Sequence, residues 1–475
     1  MELVESLASF VRMARDNGHQ LIYHPASEED IARDRDQARR QRTLSRLRQF
    51  SPLEETVSCP WNTVTTSEND AVDNRILYAI SLDAADILLT EDRGIHNKAV
   101  GHALADRVLT IQAGEDLLRR LHLRIAVKLP NIEDVPLYSL TPLLGSEFFD
   151  SLRSSYPLFD DWFRRKARGN ERAWVAFNGE TREIGGLCVY VRQENERLTE
   201  EGLVIPGTAL KLATFKVGAS FRGRKIGELF LKAAFRYATA NQIERIFIHG
   251  DKEQHYFLFQ MLVDFGFYEA GTHPGSEGRD AVHLKDHPVN PPSVDLPPFD
   301  FNRRYFPHFR HDSLVSKYIV PIKPEYHEML FPDYAPIQQR LSFENATESV
   351  GNAIKLAYLC YAQTASIRPG DVVMFYRSGD ERTLASLAIV ENYEQLDSAD
   401  AIARRVKRRT VYSLSEIVEM VESKSVEVML FRLVRHATIP LSCRDLIQRF
   451  ILKGPPQSIT KLSNENFERI IQYWQ

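Results

Sequence analysis

The sequence predicts a multidomain protein of mixed α/β and α+β class, on three observations. The chain has 475 residues, too many for one hydrophobic core, so two to four domains are expected. From Pro288 to Pro298 it carries five prolines in eleven residues, which neither a helix nor a central strand accommodates and which favour a stiff extended linker. Apolar residues recur at helical spacing in some segments and as short continuous runs in others, the pattern of alternating helices and buried strands.

Composition excludes several classes. With a formal net charge of -4, nucleic-acid binding must rest on a local patch rather than on the whole chain. The four cysteines (Cys59, Cys188, Cys360, Cys443) lie far apart with no CxxC pair, which suggests a reducing compartment and offers neither a disulfide framework nor a zinc site. Glu2 and Glu5 precede any basic residue and no signal-type apolar core follows. No run approaches ~18 apolar residues. A cytoplasmic location without membrane contact is the expectation.

Before a soft boundary at 128–134, helix and strand alternate. Leu3 to Asn17 has helical spacing, Gly18 stops it, and Gln20 to Tyr23 reads as a strand. Ser27 and Asp30 suggest a capping box opening a charged helix through Leu47. Asp73 to Leu82 reads as a helix, and Asp86 to Leu89 and Arg107 to Ile111 as strands of a small parallel sheet.

The central text is denser. Ala173 to Phe177, Gly185 to Val191 and Ala209 to Val217 read as strands, Phe221 to Ala238 as an amphipathic helix, and Arg245 to His249 as a further strand. Strand and helix are joined by Arg222-Gly223-Arg224-Lys225-Ile226-Gly227. Such a turn aims backbone N–H groups and the helix dipole at an anion, and a pyrophosphate fits.

This stretch resembles the GNAT acetyltransferase family, whose signature here is Arg/Gln-x-x-Gly-x-Gly/Ala. Arg222 and Gly227 match, while Lys225 stands at the first glycine position. A further helix closing on Phe265-Gly266-Phe267 is similar to the family's ending. The resemblance covers 133–287 and implies a mixed sheet with flanking helices. It also implies acetyl-CoA as cofactor, held by Phe215, Val217, Arg222, Gly223, Arg224, Lys225, Ile226 and Gly227. The family often has an asparagine at the start of its closing helix and a tyrosine general acid four residues before the glycine; His255 and Leu262 stand there. Glu253, His255 and Tyr256 are therefore the candidate catalytic residues, with His249 or Glu253 as a base for an incoming amine.

Residues 1–127 resemble the PIN domain, an α/β sandwich of metal-dependent ribonucleases, through Asp73 in DNRIL and Thr90-Glu91-Asp92 after an apolar strand. The family's first strand, ending in an acidic residue, has no counterpart. The resemblance implies Mg²⁺ or Mn²⁺ held by Asp30 (or Glu29), Asp73 and Asp92.

Beyond the linker (288–300), residues 306–475 resemble the PUA-like β-barrels of ASCH and EVE type. The carriers are a Pro-Gly-Asp turn, an apolar strand, a polar hairpin loop and a second strand between Ile367 and Tyr393. Here Arg404, Arg405, Lys407, Arg408 and Arg409 put five positive charges in six residues, where an RNA backbone would bind, with Tyr376, Arg377 and Tyr412 for stacking. The same charges also suit a solvated face.

Together the modules suggest an acetyltransferase acting on an RNA-linked amine such as an aminoacyl-tRNA, in a bacterial toxin or phage-defence setting with an inhibitory protein partner. Two other readings stay open: a metal-dependent ribonuclease whose GNAT domain senses acetyl-CoA, and an RNA-binding regulatory protein with degenerate enzyme domains.

Overall fold

The structure is a computed structural model and describes residues 2–54, 56–61, 67–122, 132–178, 181–218, 221, 225–334, 354–361, 366–406 and 409–474. The chain divides into two compact units. The first comprises 1–125, 396–408 and 412–424; the second comprises 126–395, 409–411 and 425–475. The proline-rich stretch runs in extended form inside the second unit up to Pro298.

In the first unit the order is α1 (Glu2–Asp16), β1 (Ile22–Tyr23), α2 (Ala26–Ala32), α3 (Gln37–Leu47), β2 (Ser51–Pro52), α4 (Glu68–Ser81), β3 (Leu88–Leu89), α5 (Arg93–Gly101), β4 (Val108–Leu109) and α6 (Ile111–His122). Pairing is parallel, as expected. Among the described residues, however, it is limited to two separate pairs, β1 with β2 and β3 with β4, rather than one sheet. Helices supply much of the core: Ala113, Leu117 and Leu121 of α6 cluster with Ala403 and Leu414, from helices Ala399–Val406 and Leu414–Ser423.

The long charged helix expected from Ser27 is corrected to two. Pro25, which has no side-chain cap, precedes α2, and Asp36 caps α3 by accepting from Arg39 N. Asp34 accepts from Asp36 N at 3.0 Å, so short aspartates compete for the backbone and break the helix between the two.

The second unit contains two sheets. The first has order β10-β11-β9-β8-β7-β6-β5, with β5 (Ile132–Pro136), β6 (Arg172–Phe177), β7 (Ile184–Glu194), β8 (Thr208–Val217), β9 (Arg245–Asp251), β10 (Tyr268–Thr272) and β11 (Asp280–Asp286). Its helices are α7 (Asp150–Ser155), α8 (Phe159–Arg168), α9 (Ile226–Ala240) and α10 (Tyr256–Asp264). One face packs on α9 and α10 through Leu210, Leu212, Ile246, Ile248, Phe230 and Leu262. The other packs Val175, Leu187 and Val189 on Phe159 and Phe163 of α8.

The second sheet has order β13-β16-β15-β14-β12-β17, with β12 (Lys317–Ile322), β13 (Lys355–Cys360), β14 (Val372–Arg377), β15 (Thr383–Leu396), β16 (Val426–Ser442) and β17 (Thr460–Leu462). The hairpin expected from Ile367 to Tyr393 is β14 and β15. The expected closed barrel is corrected: among the described residues the sheet is open, with β13 and β17 at its edges. Strand β14 is buried on both faces. Val372, Met374 and Tyr376 enter one cluster with Leu446, Phe467 and Trp474, and Val373 and Phe375 enter another with Leu330 and Phe331. A strand buried on both faces reads as a continuous apolar run.

Candidate active site

The two central strands of the first sheet part company. β8 and β9 are parallel, yet they pair only at Leu210 with Ile246 and Lys211 with Phe247. Beyond those residues β8 continues on β7 to Val217 and β9 continues on β11 to Asp251. The result is a fork whose facing backbone edges do not pair with each other. An extended ligand arm can add to such an edge as a strand does.

A bulge adjusts the side chains along the fork. Val189 pairs with Thr214 and Tyr190 with Leu212, so Ala213 is an extra residue in β8. One extra residue reverses the in/out parity of the residues after it. Phe215 and Val217 therefore continue the row begun by Leu210 and Leu212 on the α9 side. Phe215 meets Phe230 edge to face at 5.4 Å, and these two expected cofactor contacts line the helical side of the fork.

The joining loop comes next. Of the expected cofactor residues, Arg222, Gly223 and Arg224 lie outside the described residues. Phe221 is buried, and its ring lies so close to Gly185 that any Cβ there would come within 2.4 Å of it. Lys225 caps α9 in the left-handed region at φ +59°, a conformation that favours glycine although the residue is lysine. Ile226 is core. A Cβ on Gly227 would sit 3.0 Å from Met261 Sδ. The helix expected from Phe221 thus begins five residues later.

Polar groups collect on the opposite face of the fork. Phe247 faces away from α9, among Leu198, Ile205 and Val282, and two residues on, His249 shares its face. His249 Nδ1 lies 3.3 Å from Asp280 Oδ2, and its ring stacks on His273 with centroids 3.7 Å apart and an interplanar angle of 12°. The hydrogen bond with His249 holds the Asp280 carboxyl below its usual pKa range. Burial, then His249, then Lys211 push His273 down to about 4, so it is neutral at physiological pH. Asp280 stands directly opposite Asp251, a like-charge pair that is unfavourable without a cation beside it.

Helix α7 bridges the two arms. Lys216 of β8 donates to Ser151 Oγ at 2.6 Å and to the Phe148 carbonyl, while Ser155 Oγ donates to Gln254 Oε1 at 3.0 Å, just past β9. Partial desolvation, with Asp280 and Asp251 nearby, raises the Tyr156 phenol. The three expected catalytic residues fare unequally. Glu253 is exposed in the turn after β9. His255 occupies the α10 cap position, its ring packed back on Gly250. Tyr256 opens α10, and burial raises its phenol so that it keeps its proton at neutral pH. Leu262, where the family has tyrosine, is fully buried core.

The expected metal and RNA residues have other partners. Lys98 pairs with Asp73 at 2.9 Å and with Asp70, setting an ammonium where a metal would compete. Asp92 caps α5 through Gly94 N and Ile95 N, and Asp30 pairs with Arg33 at 2.6 Å. No group of three metal-ligating side chains occurs among the described residues. Arg404 pairs with Asp86, Arg405 with Asp106 at 2.7 Å, and Arg409 with Glu391; Lys407 and Arg408 lie outside the described residues. Tyr376, Arg377 and Tyr412 are buried, so the expected stacking role is corrected. The four cysteines are free, and no helix among the described residues is long and apolar enough to cross a membrane.

Comparison with known proteins finds one family match. Residues 137–258 match the profile of the Acetyltransferase (GNAT) family, so this segment is a GNAT acetyltransferase domain. No curated protein matches the chain. Similar solved structures include an aminoglycoside 6'-N-acetyltransferase complexed with coenzyme A (15% identity, 34% of this chain and 99% of that one, TM-score 0.25). A GNAT acetyltransferase from Staphylococcus aureus Mu50 is similar at 16% identity, over 34% and 99% of the two chains, with TM-score 0.25. ASCH from Zymomonas mobilis is similar at 14% identity, over 33% and 94%, with TM-score 0.26.

Proposed function

We propose that the second unit transfers an acetyl group from acetyl-CoA to an amine, with His249 as the base. The observation that carries this reading is the fork between β8 and β9 with the His249–Asp280 pair on its edge. Acetyl-CoA bound along the fork supplies the thioester carbon. The amine nitrogen attacks that carbon, a C–N bond forms and the C–S bond breaks. With Nδ1 on Asp280, His249 takes the amine's surplus proton at Nε2, and Asp280 steadies the imidazolium. Tyr256, which keeps its proton at neutral pH, is the group proposed to return one to the leaving thiolate.

Thiol release from acetyl-CoA across a panel of amines tests this. Wild type should release thiol in proportion to acetylated amine, and His249→Ala should lower kcat by about 10²-fold or more. Acetyl-CoA binding with no amine-dependent release from any amine would sink it.

For the acceptor we put forward an RNA-linked amine, aminoacyl-tRNA first. Acetylating such a tRNA withdraws it from translation, which is the sense in which a toxin or defence role and an inhibitory partner are proposed. Support rests on the charge run 404–409, three of whose arginines already hold carboxylates. Binding of tRNA that weakens steeply with salt supports this acceptor; binding that is absent at low salt removes it.

A further inference from the structure

Resting on that reading, we propose that His273 is a positioning residue of the transfer reaction, its ring stacked on His249 to fix the plane and tautomer of the base. Two partners grip His249 on different sides: His273 on its ring face and Asp280 on its Nδ1. They flank the turn between β10 and β11, His273 just after β10 and Asp280 at the start of β11, and His273 N donates to the Asp280 carbonyl at 2.9 Å. The turn is built to keep them together. Ser276, nearly buried, donates from Oγ to the His273 carbonyl at 2.7 Å and accepts from Asp280 N at 3.3 Å.

The charged surroundings favour a neutral platform. Lys211 of β8 acts on His273, with its own ammonium over the Phe247 ring at 5.6 Å and 3.8 Å from Glu196. His255 acts on Asp280 from the turn before α10, and Asp251 stands opposite it on β9. Two stacked imidazoliums would repel, so a neutral His273 suits the ring beside it. Asp280 faces Nδ1 of His249. A neutral ring that neither donates nor accepts the transferred proton acts on chemistry only through the orientation of its neighbour, and a misplaced base lowers rate more than affinity.

The test uses the full chain labelled with ¹⁵N-histidine and three proteins: wild type, His273→Ala and His273→Phe. At neutral pH, wild type should show His249 as one tautomer, protonated on Nδ1. His273→Ala should show a mixture, and His273→Phe, which keeps a flat ring, should restore the single form. The kinetic arm uses acetyl-CoA with a simple primary amine. His273→Ala should lose about tenfold or more in kcat at little change in KM for acetyl-CoA, with most of it recovered in His273→Phe. An unchanged tautomer in His273→Ala overturns the proposal, as does failure of phenylalanine to restore it. The spectra decide this whether or not any amine is acetylated, so failure of transfer alone counts against the transferase reading and not against the stack.

Discussion

Lys225 donates from Nζ to the backbone carbonyl of Lys355 at 2.9 Å, while Lys355 N donates to Glu228 Oε2 at 3.2 Å. The first turn of α9 is thereby fastened to the start of β13, and the preceding Ile354 is fully buried in the core that α9 shares with the first sheet. The N-terminal end of α9 and the second sheet thus meet at the backbone of Lys355.

Lys225 bears two opposed effects. Its left-handed backbone costs roughly 1–2 kcal/mol for a residue with a Cβ, and its ammonium recovers part of that at the carbonyl. Lys225→Ala keeps the strain and loses the hydrogen bond; Lys225→Gly loses both. Urea unfolding should find the glycine variant more stable than the alanine one by about 1 kcal/mol. Equal stabilities would mean that the loop relaxes on truncation.

Donor binding should appear in stability before any acceptor is known. Acetyl-CoA at about 100 times its dissociation constant should stabilise the native state by about 2.7 kcal/mol, read as a raised Tm. Gly227→Glu places a carboxylate at the start of α9 and presses on Met261, so its shift should vanish. A variant that folds and keeps the full shift would put the phosphates elsewhere.

Much of this was legible in the sequence where local chemistry dictates structure. The β7, β8 and β9 runs, the Phe-Gly-Phe ending and the Pro-Gly-Asp hairpin form where expected. Gly266 shows why: at φ +85° a Cβ would lie 2.4 Å from the Arg303 carbonyl, so only glycine closes α10 there. The partners of His249 were not legible. Asp280 and His273 lie 31 and 24 residues further on, and only the register of β11 on β9 brings them back. Glycines 275 and 278, both at positive φ, were the available sign of that hairpin. The carboxylates that Arg404 and Arg405 hold were not legible either, since Asp86 and Asp106 come from remote chain segments.

A buried ionic cluster makes a third prediction. Asp264, at the end of α10, pairs with Lys355 and with Arg432 at 2.9 Å, and Glu391 pairs with Lys355 at 3.0 Å, with Arg432 at 3.1 Å and with Arg409. Burial alone would raise the Glu391 carboxyl, but Arg409, Lys355 and Arg432 outweigh it and hold it far below its usual range. Removing that charge leaves Arg432, fully buried, short of one partner. Glu391→Gln should therefore destabilise by about 3 kcal/mol or more, measured by urea midpoint. A loss under about 0.5 kcal/mol would indicate that water enters the cluster.

The pH dependence of stability rests on two buried groups behind α9. Burial, Lys285 and His308 push His287 from its ordinary 6.5 to about 3. The unfolded chain thus takes up a proton as pH falls through 6.5 while the folded chain does not, and stability present above 6.5 is lost toward 3. Each pH unit in that window removes up to about 1.4 kcal/mol per group, and His273, at about 4, acts in the same direction. Burial, followed by Arg432, pushes Lys285 from 10.5 to about 7. Between those values the unfolded chain holds a proton that the folded chain has released, so stability rises with pH there too. Urea midpoints should therefore climb from about pH 5 to about pH 9. His287→Asn should make the acid limb shallower and leave the alkaline limb, whereas Lys285→Met should flatten the alkaline limb and also soften the acid one, since Lys285 helps to hold His287 down. A midpoint that falls across this range, or variants that flatten neither limb, would show that other groups control the profile.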